Sequence, residues 1–100
     1  MYVILSKSTQ PGKKFQVSVE KGDQKRTIHF GDSKLKDYTL HNPLEREERK
    51  RLYLLRHKAR ENWNDPFSAG FWSRWILWNK PTVRASLADA AKRFGFSYTY

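Results

Sequence analysis

A mixed α+β fold is predicted, with a small N-terminal antiparallel sheet of about three strands followed by three helices. Three features of the sequence point to it. Phe15, Val17 and Val19 alternate with Gln16, Ser18 and Glu20, the two-residue period of a half-buried strand, and Thr27-Ile28-His29-Phe30 follows as a hairpin partner. Asn42-Pro43 stands ahead of a run with glutamates first and cations last, which suits the start and the dipole of a helix. Thr82 and Gly95 bracket Val83, Leu87, Ala90, Ala91 and Phe94, which recur at helical spacing between a cap and a stop.

The elements follow in order. Tyr2–Ser6 is a short apolar run suited to a strand, and Ser8-Thr9-Gln10-Pro11-Gly12 is turn chemistry. Lys21-Gly22-Asp23-Gln24 joins the two hairpin strands, and Gly31-Asp32 ends the second. Residues 32–43 are a polar connection. A first helix is expected from Pro43 to about Arg60, with Glu45 completing a capping box on Asn42. Its i,i+4 pairs would be Glu45–Arg49 and Glu47–Arg51, and its apolar stripe Leu44, Leu52, Leu55 and Ala59. Ser68 caps a second helix running to about Trp78, apolar nearly all round, which marks a core helix or an interface helix. The third helix spans Val83–Phe94, with Gly95 after it. Phe96–Tyr100 alternates aromatic and polar residues and suits an added edge strand. A length of 100 residues fits one domain over 1–100, strand-rich over 1–31 and helical over 43–95.

Composition narrows the function. Twenty Lys and Arg face ten Asp and Glu, a net charge of +10, spread as +4, +3 and +3 over residues 1–43, 44–62 and 63–100. An excess with no detachable tail is the field of a folded protein that attracts polyanions: DNA, RNA, an acidic protein surface or, peripherally, an anionic membrane. The chain has no Cys, which excludes a disulfide framework, an Fe–S cluster and a cysteine nucleophile. No apolar run is long enough for a transmembrane segment, and Met1–Lys7 places its apolar run before the first lysine, unlike a signal peptide. A protein remaining on the side of the membrane where it is made is therefore expected.

Two residue sets are candidates for function. The polyanion-binding set is Arg46, Arg49, Lys50, Arg56, His57, Lys58 and Arg60 on the first helix, with Arg74 and Lys80 beyond it. At 100° per residue Arg49, Arg56 and Arg60 form one row, and Arg46, Lys50 and His57 another. The aromatic set is Trp63, Phe71, Trp72, Trp75 and Trp78, suited to the core or a protein interface and less to base stacking. His29, His41 and His57 are isolated, so no metal site is expected, and no cofactor loop or nucleophile–base set is present. A non-enzymatic protein is expected.

Five segments form a series that goes further: Pro11-Gly12-Lys13-Lys14-Phe15, Thr27-Ile28-His29-Phe30-Gly31, Asp37-Tyr38-Thr39, Arg56-His57-Lys58-Ala59-Arg60-Glu61-Asn62-Trp63, and Ala69 through Thr82. The series, over about residues 11–95, resembles a family of small basic proteins of nucleocytoplasmic large double-stranded DNA viruses, the group that includes chlorella viruses and mimiviruses. The family brings no activity or catalytic residue. The resemblance implies a minor virion or capsid-associated component, in the virion or in the host cytoplasm or viral factory during assembly. It would dock to other virion proteins through the Trp-rich helix and turn a basic surface to a polyanion. The alternative is a nucleic-acid-binding protein acting on viral DNA or RNA.

Overall fold

The computed structural model describes residues 1–100. Strands β1 (Tyr2–Lys7), β2 (Lys13–Lys21) and β3 (Gln24–Asp32) form an antiparallel meander, with Gly22 and Asp23 as the loop between β2 and β3. The sheet has four strands rather than the three predicted. Ser97–Thr99, β4, pairs parallel with β1, giving the order β3-β2-β1-β4. The edge strand expected within Phe96–Tyr100 is present, and its partner is supplied by the other end of the chain.

Period-2 alternation puts one face of the sheet in the core. Val3 pairs with Val19, Leu5 with Val17 and Val17 with Ile28, and Phe15 pairs with Phe30. Val3, Leu5, Val17, Val19 and Phe30 are buried, while the alternate positions of β1 face solvent. This is a sheet packed on one side only.

Helices cover the buried face. Ser68 Oγ accepts from the Phe71 amide and caps α2 (Ala69–Trp72), which continues as a π-helical turn, Ser73–Leu77, in place of the uniform α-helix predicted to Trp78. The Trp78 amide donates to the Ser73 carbonyl, five residues back. Phe71, Trp72, Ile76 and Leu77 are sealed in the core beside β3. Next, α3 (Val83–Phe94) packs on the π turn. Thr82 Oγ1 accepts from the Ala85 amide at its start, and Gly95, at φ 71°, stops it, as the sequence predicts.

The first helix differs most from expectation. α1 covers Arg46–His57, shorter than Pro43–Arg60. Asn42 Oδ1 accepts from the Leu44 and Glu45 amides, so the capping side chain is present, but it organises a turn just ahead of the helix. Glu45 does not close a capping box; it lies toward His41 instead. The expected stripe is not the docked face: Leu44 is 95% exposed and Leu55 63%, Ala59 faces solvent, and the one fully buried residue of α1 is Tyr53. The expected ion pairs also shift. Arg51 pairs with Glu48, while Glu47 turns to Tyr38. No helix is long and apolar enough to cross a membrane.

Gly31 fixes the approach of the π turn to β3. Its φ is +82°, and a Cβ there would lie 2.8 Å from Leu77 Cδ1 and 3.2 Å from Lys14 Cβ. Leu77 is buried, and its side chain would have to shift to admit the added carbon. The Gly31→Ala substitution should lower unfolding stability by about 1–3 kcal/mol, from the left-handed backbone alone before the clash is added. Urea denaturation measures it, and an unchanged midpoint would refute the close-approach argument.

Candidate functional site

α1 stands off from the body. Its backbone has no extensive approach to another element, and long side chains bridge the gap. The row predicted as a second basic face, Arg46, Lys50 and His57, is the row that points inward, because it shares its spacing with Tyr53. Tyr53 stacks on Trp78 at 4.6 Å and 7°, and on His57 at 4.3 Å. The Arg46 guanidinium lies 5.5 Å from the Tyr38 ring centre and the Lys50 ammonium 5.0 Å, both within cation–π range. Lys50 Nζ also donates to the Asn79 carbonyl at 2.9 Å. Arg46, Lys50 and His57 are therefore half-buried and make structural contacts of α1.

Arg74 is corrected in the same way. It donates to the Trp78 carbonyl at 2.7 Å, and its guanidinium lies 4.2 Å from the Trp75 ring centre and 5.6 Å from that of Trp63. Lys50 and Arg74 thus satisfy carbonyls left free where the π turn ends. Burial lowers the pKa of each, and their mutual repulsion lowers that of Lys50 further.

The aromatic set divides. Phe71 and Trp72, with 1% and 0% exposure, belong to the core, and neither can touch a partner in this fold. Trp72 Nε1 donates to the Pro66 carbonyl and Trp75 Nε1 to the Trp63 carbonyl, which satisfies both indoles internally. Trp63, Trp75 and Trp78 are half-buried, and cations or rings already contact each of them.

Asp37 anchors the loop that faces α1. It is buried and accepts from Lys14 Nζ at 2.6 Å and from the Thr39 amide at 2.8 Å, while the next amide, Tyr38, donates to the Leu77 carbonyl. The Tyr38 hydroxyl donates to Glu47 on α1, a bond that holds the phenol protonated and raises its pKa. Glu61, just past α1, lies 3.0 Å from His57 Nδ1 and within reach of the Tyr53 hydroxyl and Trp63 Nε1.

Between α1 and the body lies a cleft of about 580 Å³. Lys13 and Lys14 of β2 and Leu35 and Lys36 of the loop line one side, Arg49, Leu52 and Arg56 of α1 the other, and Trp78, Tyr53 and His57 the interior. Of the predicted polyanion set, Arg49 and Arg56 reach this cleft in exposed positions; Lys58, Arg60 and Lys80 are exposed outside it. Lys13, Lys36, Asp37 and Tyr53 were not singled out by the sequence reading. The one readable signal was the 46–50–53–57 spacing, which places an aromatic among cations on one helical row.

Residues 3–57, more than half of the chain, match a family of unknown function (DUF5754), and the chain belongs to that family. No curated protein and no solved structure matches it.

Tyr53 gives two tests. Tyr53→Ala should cost about 3–5 kcal/mol and strip amide-exchange protection from α1 before the sheet loosens. Undiminished protection in α1 would show that the stack is not what holds it. Burial, with the Glu61 charge adding to it, pushes the Tyr53 phenol well above its usual value near 10. The folded state therefore keeps a proton that the unfolded state releases, so stability is complete below about pH 10 and falls above it. Tyr53→Phe should flatten that alkaline loss, as measured by urea midpoints across pH 8–11.

Proposed function

We propose that this chain is a non-enzymatic nucleic-acid-binding protein that meets its ligand through an exposed cationic surface. The observation that carries the reading is how the charges divide. Eight of the ten carboxylates hold an internal hydrogen bond or ion pair; Glu20 and Asp23 do not. Only three of the twenty Lys and Arg side chains, Lys14, Arg51 and Arg93, lie within ion-pair distance of a carboxylate. The acids organise the fold, and most of the cations are left to solvent. Such a surface gains free energy when it displaces the counterions condensed on a phosphate backbone.

Arg49 and Arg56 at the cleft, with Lys58 and Arg60 just beyond α1, concentrate this charge. The resemblance to proteins of large DNA viruses supports viral DNA or RNA as the polyanion, with the virion or viral factory as the setting. A capsid-docking role through the tryptophans has less support, because Phe71 and Trp72 are inside and the half-buried tryptophans already have internal partners.

Fluorescence anisotropy with labelled DNA over a salt series tests the proposal. Micromolar or tighter binding at physiological salt is expected, and Arg56→Ala should reduce the slope of log K against log salt by about 0.7–0.9. Binding confined to low salt would reduce the charge to a general property and sink the reading.

A further inference from the structure

The cleft beside α1 combines three properties that a convex basic surface lacks. Its cations stand on both sides: Lys13 and Lys36 from the sheet and loop, Arg49 and Arg56 from the helix. All four are exposed and none is paired with a carboxylate, so their charge is available to a ligand. Each of its own acids has an internal partner, and Asp37 is paired with a lysine. Asp37 is held by Lys14 and the Thr39 amide, Glu61 lies against His57, and Asp32 Oδ1 accepts from the Lys34 amide. Five Lys and Arg side chains line the cleft against three carboxylates, and a concave site with an excess of one sign of charge focuses the field toward its interior. Leu35 and Leu52 and the half-buried rings of His57 and Trp78 line that interior, apolar and aromatic groups against which a base can rest, while Tyr53 is buried in the stack behind them. At about 580 Å³ it lies in the roughly 300–1,000 Å³ range of clefts that take small organic ligands, so it has room for nucleotide units.

We infer that this cleft is a groove for single-stranded nucleic acid, with phosphates held between Lys13 and Lys36 on one side and Arg49 and Arg56 on the other. The inference rests on the nucleic-acid reading above and names the form of ligand. A duplex keeps its bases stacked inside a rigid rod, so it can bridge the mouth of the cleft but cannot place a base against the interior. A single strand can enter with both its backbone and its bases.

The test uses the full chain, a labelled oligo-dT, a duplex of the same length, and two double variants that each remove two exposed positive charges. Lys36→Ala with Arg49→Ala removes one cation from each side of the cleft rim; Lys58→Ala with Arg60→Ala removes charge outside it. Circular dichroism and urea midpoints check that both variants fold as the parent does. The parent should bind oligo-dT about ten-fold or more tighter than duplex at equal salt, an advantage worth about 1.4 kcal/mol. The rim variant should lower the oligo-dT salt slope by about 1.4, two contacts at about 0.7 each, and the outside variant should leave it nearly unchanged. Equal losses in the two variants, or a parent that prefers duplex, would overturn the groove while leaving a general nucleic-acid surface standing. A parent that binds neither polymer at physiological salt would overturn both.

Discussion

The stack of Tyr53 on Trp78 is the contact on which the arrangement of this protein turns. The sheet and the two later helices form a closed core around Trp72, Phe30 and Leu87, and that core does not need α1. α1 is joined to it by side chains: an aromatic stack, two cations over Tyr38 and the bond from Tyr38 to Glu47. Contacts made at arm's length leave space beneath them. The cleft exists because the helix is held by the ends of long residues and not by small residues that would bring its backbone down onto the sheet. An aromatic stack adds about 0.5–1.5 kcal/mol beyond the area it buries, enough to fix a helix that propensity alone would not hold in place.

The charge follows a consistent division of labour. Carboxylates fix loops and termini of elements, as Asp37, Asp65 and Glu45, which lies toward His41, illustrate, and Asp89 ties α3 to the buried Asn79. The Asn79 amide holds the Asp89 carboxyl below its usual pKa, with Arg93 adding to the effect, so that group stays ionised. Lys14 enters the interior paired with Asp37, whereas Lys50 and Arg74 do so against free carbonyls at the end of the π turn and the aromatic faces of Tyr38 and Trp75. What remains outside is positive. A net charge that looks uniform along the chain is therefore sorted by the fold into an internally satisfied fraction and a free one, and only the free fraction can act on a ligand.

The tryptophans show how one composition serves two ends. Trp72 fills the core, its indole nitrogen satisfied by the Pro66 carbonyl. Trp75 and Trp78 sit at the margin, where their faces receive cations and Tyr53. The π turn buries the adjacent Ile76 and Leu77 while leaving these two rings at the edge of the core. Aromatic surface that could have been a docking patch is instead the platform on which α1 rests.

The sequence by itself determined the mixed α+β class, the β2–β3 hairpin and α3 with both its caps, because each rests on local chemistry: alternation, a Gly-Asp loop, a threonine cap and a left-handed glycine. It also determined the positive charge, which is a sum. It offered a C-terminal edge strand but not that strand's partner, β1 from the far end of the chain, and it did not determine which face of α1 is inside. Leu44, Leu52, Leu55 and Ala59 make the more apolar stripe, yet the helix turns Arg46, Lys50, Tyr53 and His57 inward. Hydrophobic periodicity assumes that a helix docks by burying aliphatic area against an adjoining surface. Here the surface on offer is a set of rings, Tyr38 and Trp78, and rings accept cations and other rings. That choice depends on where residues far apart in the chain come together, and only the tertiary structure could make it.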